Sequence, residues 1–205
     1  MVLRCRSKRV VGGALGCILC YAAYWIVQTR PLEPQWTLAP VDAADISLPP
    51  ELMALGEKIL GVQGLQDALA STQSFTGVLH NVPVQIYFSS WESPETVDLR
   101  RSELSVDEYG VASVVPGSLI VDVGGNIGDT ALMACLRPGF SDSGIQVLSL
   151  EPVPLQYFYL RWNLWKNGVK ILELDSWGSS PGSNRPAGVV ALNAGLSSDG
   201  KPFEM

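Results

Sequence analysis

Histidine is almost absent: His80 is the only one in 205 residues. No partner stands within sequence range of it, so it reads as a structural or surface residue, not a general base or metal ligand. Cysteine is scarce and unevenly spread. Cys5, Cys17 and Cys20 fall near the start and Cys135 stands far from them, which excludes a disulfide framework. Cys17-x-x-Cys20 sits inside an apolar run without polar partners, which argues against redox or zinc chemistry. No metal site is expected. Charged residues make up only 17 % of the chain and the net charge is −6, which argues against a nucleic-acid partner. No internal repeat is present.

Acids are missing from the first 30 residues, which carry Arg4, Arg6, Lys8, Arg9 and Arg30. The rest of the chain is acidic. An uncharged run follows from Val10 to Val27, long enough to span a bilayer, with Tyr21, Tyr24 and Trp25 at one end. The expected arrangement is a cytoplasmic basic tip over 1–9, a transmembrane anchor over 10–27 and a lumenal body in the secretory pathway. A cleaved signal peptide is the alternative, and would leave the body secreted; Ala22-Ala23 offers only a weak cleavage site. An organellar transit signal ranks third. Cys5, beside the cations, is a candidate for palmitoylation. Residues 28–50 carry Pro31, Pro34, Pro40, Pro49 and Pro50 and read as a proline-rich linker.

Residues 51–116 read as an extension built of helix and strand pair. Leu52, Leu55, Ile59 and Val62 recur at spacings of three and four, predicting a packing helix to about Leu69. A lid over a ligand is the lesser reading of that helix. Residues 75–90 predict a strand pair, with Val82, Val84, Ile86 and Phe88 alternating. A further helix is expected over 103–115, ended by Pro116-Gly117. Residues 176–188, dense in Ser, Gly and Pro, read as a surface loop.

Residues 117–205 carry the chemistry. Leu119 to Val123 is a short apolar run suited to a buried parallel strand, interrupted by Asp122. Gly124, Gly125 and Gly128 allow a tight turn and a close approach by ligand, and a helix is expected from Thr130 to Leu136. Strand, glycine turn and helix make a nucleotide-type pocket at the carboxyl edge of a parallel sheet. Gly124-x-Asn126-x-Gly128 does not fit the dinucleotide fingerprint G-x-G-x-x-G. Asp122 would repel a pyrophosphate and suits a ligand bearing an ammonium group. S-adenosylmethionine has an ammonium, a sulfonium and no phosphate, so the loop favours it over NAD. A second strand, Ile145 to Leu150, ends at Glu151, 23 residues beyond Gly128. An acid there can accept hydrogen bonds from ribose hydroxyls. The next helix is expected from about Val153 to Asn167, with Leu155, Phe158, Trp162 and Trp165 as a core stripe.

Val121-Asp122-Val123-Gly124-Gly125-Asn126-Ile127-Gly128 resembles the first motif of FkbM-type S-adenosylmethionine-dependent methyltransferases. Leu150-Glu151-Pro152 resembles their second motif. Asn163 and Asn167-Gly168 fall on that family's asparagine pattern, and the segment from Asn193 to Gly200 resembles the one after it. Gly125 departs from the family's usual alanine. The resemblance implies an α/β, Rossmann-like parallel sheet of the class I methyltransferase type. It places Asp122, Gly124, Gly125, Asn126 and Gly128 around the methionine part of the cofactor and Glu151 at its ribose. Ser198 and Asp199 would contact the adenine end. Asn163 is assigned to ligand or to local backbone.

The sequence ends at Met205, soon after the expected third strand, so the sheet is expected to be incomplete, with an open edge and an uncovered apolar face. No catalytic residue is assigned. The expected function is a membrane-anchored methyltransferase acting on a hydroxyl of a small molecule or glycan. The alternative is a truncated, non-catalytic module that binds cofactor or a partner. A nicotinamide dehydrogenase is disfavoured by the missing fingerprint.

Overall fold

The computed structural model describes residues 36–39, 41, 46–105, 107, 109–178 and 185–196. The expected anchor over 10–27 and the nominated Ser198 and Asp199 lie outside the described residues. No helix among the described residues is long and apolar enough to cross a membrane.

The described chain is mixed α/β, with a three-stranded antiparallel sheet and a three-stranded parallel sheet. Helix α1 (Pro50–Ala70) opens on Pro50, where a residue without an N–H costs no hydrogen bond. Gly61 sits at φ 73° and breaks the helical path. The break re-phases the buried face: Leu52, Leu65 and Ala68 are buried, while Val62 is 61 % exposed. The expected stripe therefore fails at Val62.

Strands β1 (Thr37–Ala39), β2 (Thr72–Leu79) and β3 (Val82–Ser89) form the antiparallel sheet in that order. β1 falls within the stretch expected as linker. It is pinned there by Trp36, which is buried edge-on against Phe75 with ring centroids 5.3 Å apart. The indole lies over Gly77, where a Cβ would run into the ring. His80 and Asn81 both take positive φ, 51° and 68°, and make the two-residue hairpin turn. His80 Nε2 lies 3.1 Å from the Met133 carbonyl oxygen, a structural role.

Helix α2 spans Pro94–Ser105, ahead of the expected helix at 103–115, which is replaced by a single 3-10 turn, Val111–Ser113. The sequence carried the reason. Ser93 Oγ accepts from Thr96 N–H at 3.3 Å as an N-cap, with Pro94 next to it. Val97, Arg100 and Leu104 form the buried face.

Strands β4 (Leu119–Val123), β5 (Gln146–Leu150) and β6 (Gly188–Leu192) pair in parallel and in sequence order. Helices α3 (Asp129–Cys135) and α4 (Pro154–Lys166) connect them, close to the expected bounds. Register puts Ile120, Val147 and Val189 on one face with Asp122, Ser149 and Ala191. On the opposite face of edge strand β4, Leu119, Val121 and Val123 are 44 %, 56 % and 57 % exposed. Gln146 is fully buried under the loop before β6. It donates to the Ser176 and Pro186 carbonyls and accepts from Gly178 N–H.

Helix α4 joins the two sheets, with α1 and β3 on one side and α3 and β6 on the other. Phe158, Tyr159 and Trp162 are buried, and the indole of Trp162 stacks on Tyr87 at 4.3 Å and on Tyr159 at 5.9 Å. Each such pair adds about 0.5–1.5 kcal/mol beyond its burial. Trp165, expected in the same stripe, is 41 % exposed in the last turn. Asn163 and Asn167, one turn apart on α4, act as a surrogate strand for the free edge of β3. Asn163 exchanges two hydrogen bonds with the backbone of Tyr87, and Asn167 two with that of Gln85. A sheet edge that would otherwise be open or unsatisfied is thereby closed by side chains. One hydrophobic cluster runs through both sheets.

Candidate functional site

The site forms where β4 and β5 end. Asp122 and Ser149 are direct register partners, and Ser149 Oγ donates to Asp122 Oδ2 at 2.9 Å. Burial lifts the Asp122 carboxyl above the ordinary aspartate range; the Ser149 hydrogen bond opposes this, and the charges of Asp129 and Glu151 add to it. The turn after β4 then bends sharply. Gly124 and Gly128 sit at φ 82° and 92°, and Asn126, not a glycine, at φ 49°. The N–H groups of Gly124 and Gly125 both donate to the Leu150 carbonyl at 2.9 Å, locking the turn onto the end of β5.

Gly125 is buried, and a Cβ there would strike Ser149 Oγ and meet Leu160. The alanine usual in the resembled family has no room here, because Ser149 uses that space to reach Asp122. Beside Gly124 no atom lies within 4 Å of where a Cβ would stand, so the backbone is open to an approaching ligand.

A cleft of about 360 Å³ lies alongside, lined by Tyr109, Val111, Thr130 and the segment from Ile120 to Gly124. Among the described residues its polar side chains are Tyr109, Asp122 and Thr130. Glu151 does not line it. Glu151 is 5 % exposed, and its carboxylate accepts from Asn126 N–H through Oε2 and from Val153 N–H through Oε1, each at 2.8 Å. It thus closes the glycine loop onto the end of β5. A carboxylate has about four acceptor positions, and these two bonds take two of them. Asn193, at the end of β6, donates to the carbonyls of Glu151 and Pro152 and fixes that turn.

The structure brings together Asp122, Gly124, Gly125, Asn126, Gly128 and Glu151 in one loop and strand-end cluster. Asn163 lies beneath it: its Nδ2 donates to the Ile127 carbonyl at 2.9 Å, so it braces the loop's backbone. Ser149 was missed by sequence reasoning, although pairing the two expected strands residue by residue would have set it beside Asp122. Arg100, which reaches the loop from α2, had no local signal.

Chemically, the cleft offers an ionisable carboxylate at its floor and a glycine backbone beside it. That suits a ligand carrying a cation and hydroxyls and disfavours a phosphate. Among the described residues no group of His, Cys, Asp and Glu side chains could hold a metal ion. No protein-family model matches the chain, and no curated protein matches it.

Proposed function

We propose that the chain is an S-adenosylmethionine-binding methyltransferase of the class I, Rossmann-like type, acting on a hydroxyl of a small molecule or glycan. The observation that carries this reading is Asp122, held by Ser149 Oγ at the strand ends and lining a cleft beside the open Gly124 backbone. The donor set fits the cofactor. Among the described residues Asp122 takes its side-chain hydrogen bond from Ser149 Oγ on Oδ2, and its Oδ1 is suited to the ammonium of the methionine part. The open Gly124 backbone admits it closely, Gly125 leaves room for Ser149 to reach Asp122, and Gly128 lets the chain turn into α3. Glu151 has acceptor positions left for the ribose, while its bond to Asn126 N–H keeps it anchored. The bound cofactor would supply a methyl group on a positively charged sulfur, and transfer then depends mainly on alignment with the acceptor oxygen.

A second reading is a cofactor-binding module without catalysis. It draws on the lining of the cleft, where, among the described residues, the hydroxyls of Tyr109 and Thr130 and the carboxylate of Asp122 are the polar side-chain groups. On either reading the body is proposed to be held at a membrane through residues 10–27.

Equilibrium dialysis of the full chain with labelled S-adenosylmethionine tests the proposal. Retention of label that unlabelled cofactor displaces and NAD does not is the expected result. Displacement by NAD, or no retention, would refute it. Methyl transfer to hydroxyl acceptors then separates the enzyme from the module.

A further inference from the structure

The glycine loop is held from outside the parallel sheet by one buried cation. Arg100, on α2, is 5 % exposed. Its Nε and Nη2 grip Glu92 at 2.9 and 3.2 Å, in the two-pronged manner that only a guanidinium allows. The same Nη2 donates to Asn126 Oδ1 at 2.9 Å, and Nη1 to Asp129 Oδ2 at 3.3 Å. Glu92, in the turn between β3 and α2, is itself nearly buried, its side chain 7 % exposed. The fork therefore joins the strand-pair extension to the two residues that flank Ile127 and Gly128.

Asn126 is the member of this set with a conformational problem. Its φ of 49° lies in the left-handed region, which a side-chain-bearing residue enters at a cost and keeps only when its surroundings hold it. Two contacts do so: Arg100 on the side chain and Glu151 on the backbone N–H. Arg100 does not line the cleft, so any influence on ligand passes through the loop groups it holds, Asn126 and Asp129.

We propose that Arg100 is a positioning residue of the ligand site. It fixes Asn126 in the left-handed conformation, and through the Asn126 N–H it sets the orientation of the Glu151 carboxylate. The inference rests on the cofactor reading for its ligand, and on the loop geometry alone for its mechanism. Lysine at position 100 would keep the charge but cannot reach Glu92, Asn126 and Asp129 together. Glycine at position 126 would adopt the left-handed conformation without being held.

The experiment uses the full chain with Arg100→Lys, Asn126→Gly and both together. Hydrogen exchange over residues 119–137 is measured without ligand, and S-adenosylmethionine affinity by equilibrium dialysis. Arg100→Lys is expected to speed exchange in the loop and weaken binding about tenfold, the worth of one charge-assisted hydrogen bond. Asn126→Gly sets its own baseline, and adding Arg100→Lys to it is expected to change exchange and affinity by less than about twofold. A milder variant, Glu92→Gln, keeps the shape of the clamp and is expected to shift both readouts the same way as Arg100→Lys. Loop exchange unchanged by Arg100→Lys and by Glu92→Gln would overturn the proposal. So would an Arg100→Lys effect of full size in the Asn126→Gly background, which would mean that Arg100 acts through Asp129 or the packing of α2 and not through Asn126. If the wild type binds no S-adenosylmethionine, the cofactor reading fails, and the exchange data decide the role of Arg100 by themselves.

Discussion

Asn163 pairs with Tyr87 as one strand pairs with the next. Its Oδ1 accepts from Tyr87 N–H at 2.7 Å and its Nδ2 donates to the Tyr87 carbonyl at 2.9 Å. The same Nδ2 also donates to the Ile127 carbonyl, so one fully buried amide connects the antiparallel sheet to the glycine loop. Asn163→Ala would leave three buried backbone groups without partners, at about 3 kcal/mol or more. Asn167→Ala, on the half-buried neighbouring pair, is expected to cost about 1 kcal/mol. Urea unfolding of the two variants checks the ranking.

Burial of the Asp122 carboxylate, which raises its pKa, is expected to lower the stability of the protein at neutral pH. A carboxyl whose folded pKa is raised above its unfolded value is destabilising while ionised. The penalty is complete above the folded pKa and vanishes below the unfolded one, about 3.9. Asp122→Asn keeps an acceptor for Ser149 and removes the charge. Its thermal midpoint is therefore expected above wild type at neutral pH, with the gap closing as the pH falls toward about 4. Thermal melts across that range check the sign, and a lower midpoint at neutral pH would contradict it.

Gly125 and Ser149 compete for the same space. Gly125→Ala is expected to cost about 1–3 kcal/mol, because the new methyl pushes Ser149 Oγ off Asp122. Combining it with Ser149→Ala should recover most of the stability while leaving Asp122 without its donor. Chemical denaturation of the single and double variants measures the coupling.

The bilayer proposal has its own check. After alkaline carbonate extraction of membranes carrying the full chain, the protein is expected in the pellet, and a chain lacking residues 1–30 in the supernatant. Release of the full chain would contradict a spanning anchor.

Much of the parallel sheet was legible because its signals are local. The apolar run ending in Asp122, the glycines after it and the second run ending in Glu151 gave β4, β5 and the helix between them to within a residue or two. The helix expected over 103–115 forms earlier, at Pro94–Ser105, because the Ser93 cap and Pro94 start it there, and the stop at Pro116-Gly117 says nothing of where a helix begins. Trp165 and Val62 fit a helical stripe by spacing, but a stripe says nothing of where its partner surface ends or where a glycine bends the helix. The roles of Arg100 and Glu92 depend on a contact 26 to 34 residues away in sequence, at Asn126. No periodicity encodes such a contact; it exists only once α2 has packed beside α3. Glu151 was placed correctly at the strand end, but nothing in its spacing foretold that one oxygen would close the glycine loop at Asn126 and the other take the Val153 N–H of its own turn.

The most direct measurement is a calorimetric titration of the full chain with S-adenosylmethionine, repeated on Asp122→Asn and Glu151→Gln. One saturable site in the wild type, weakened about tenfold or more in each variant, is the predicted result. A wild type that gives no binding heat at any temperature tried, or variants that bind as tightly as it does, would contradict the assignment of these two carboxylates to a cofactor.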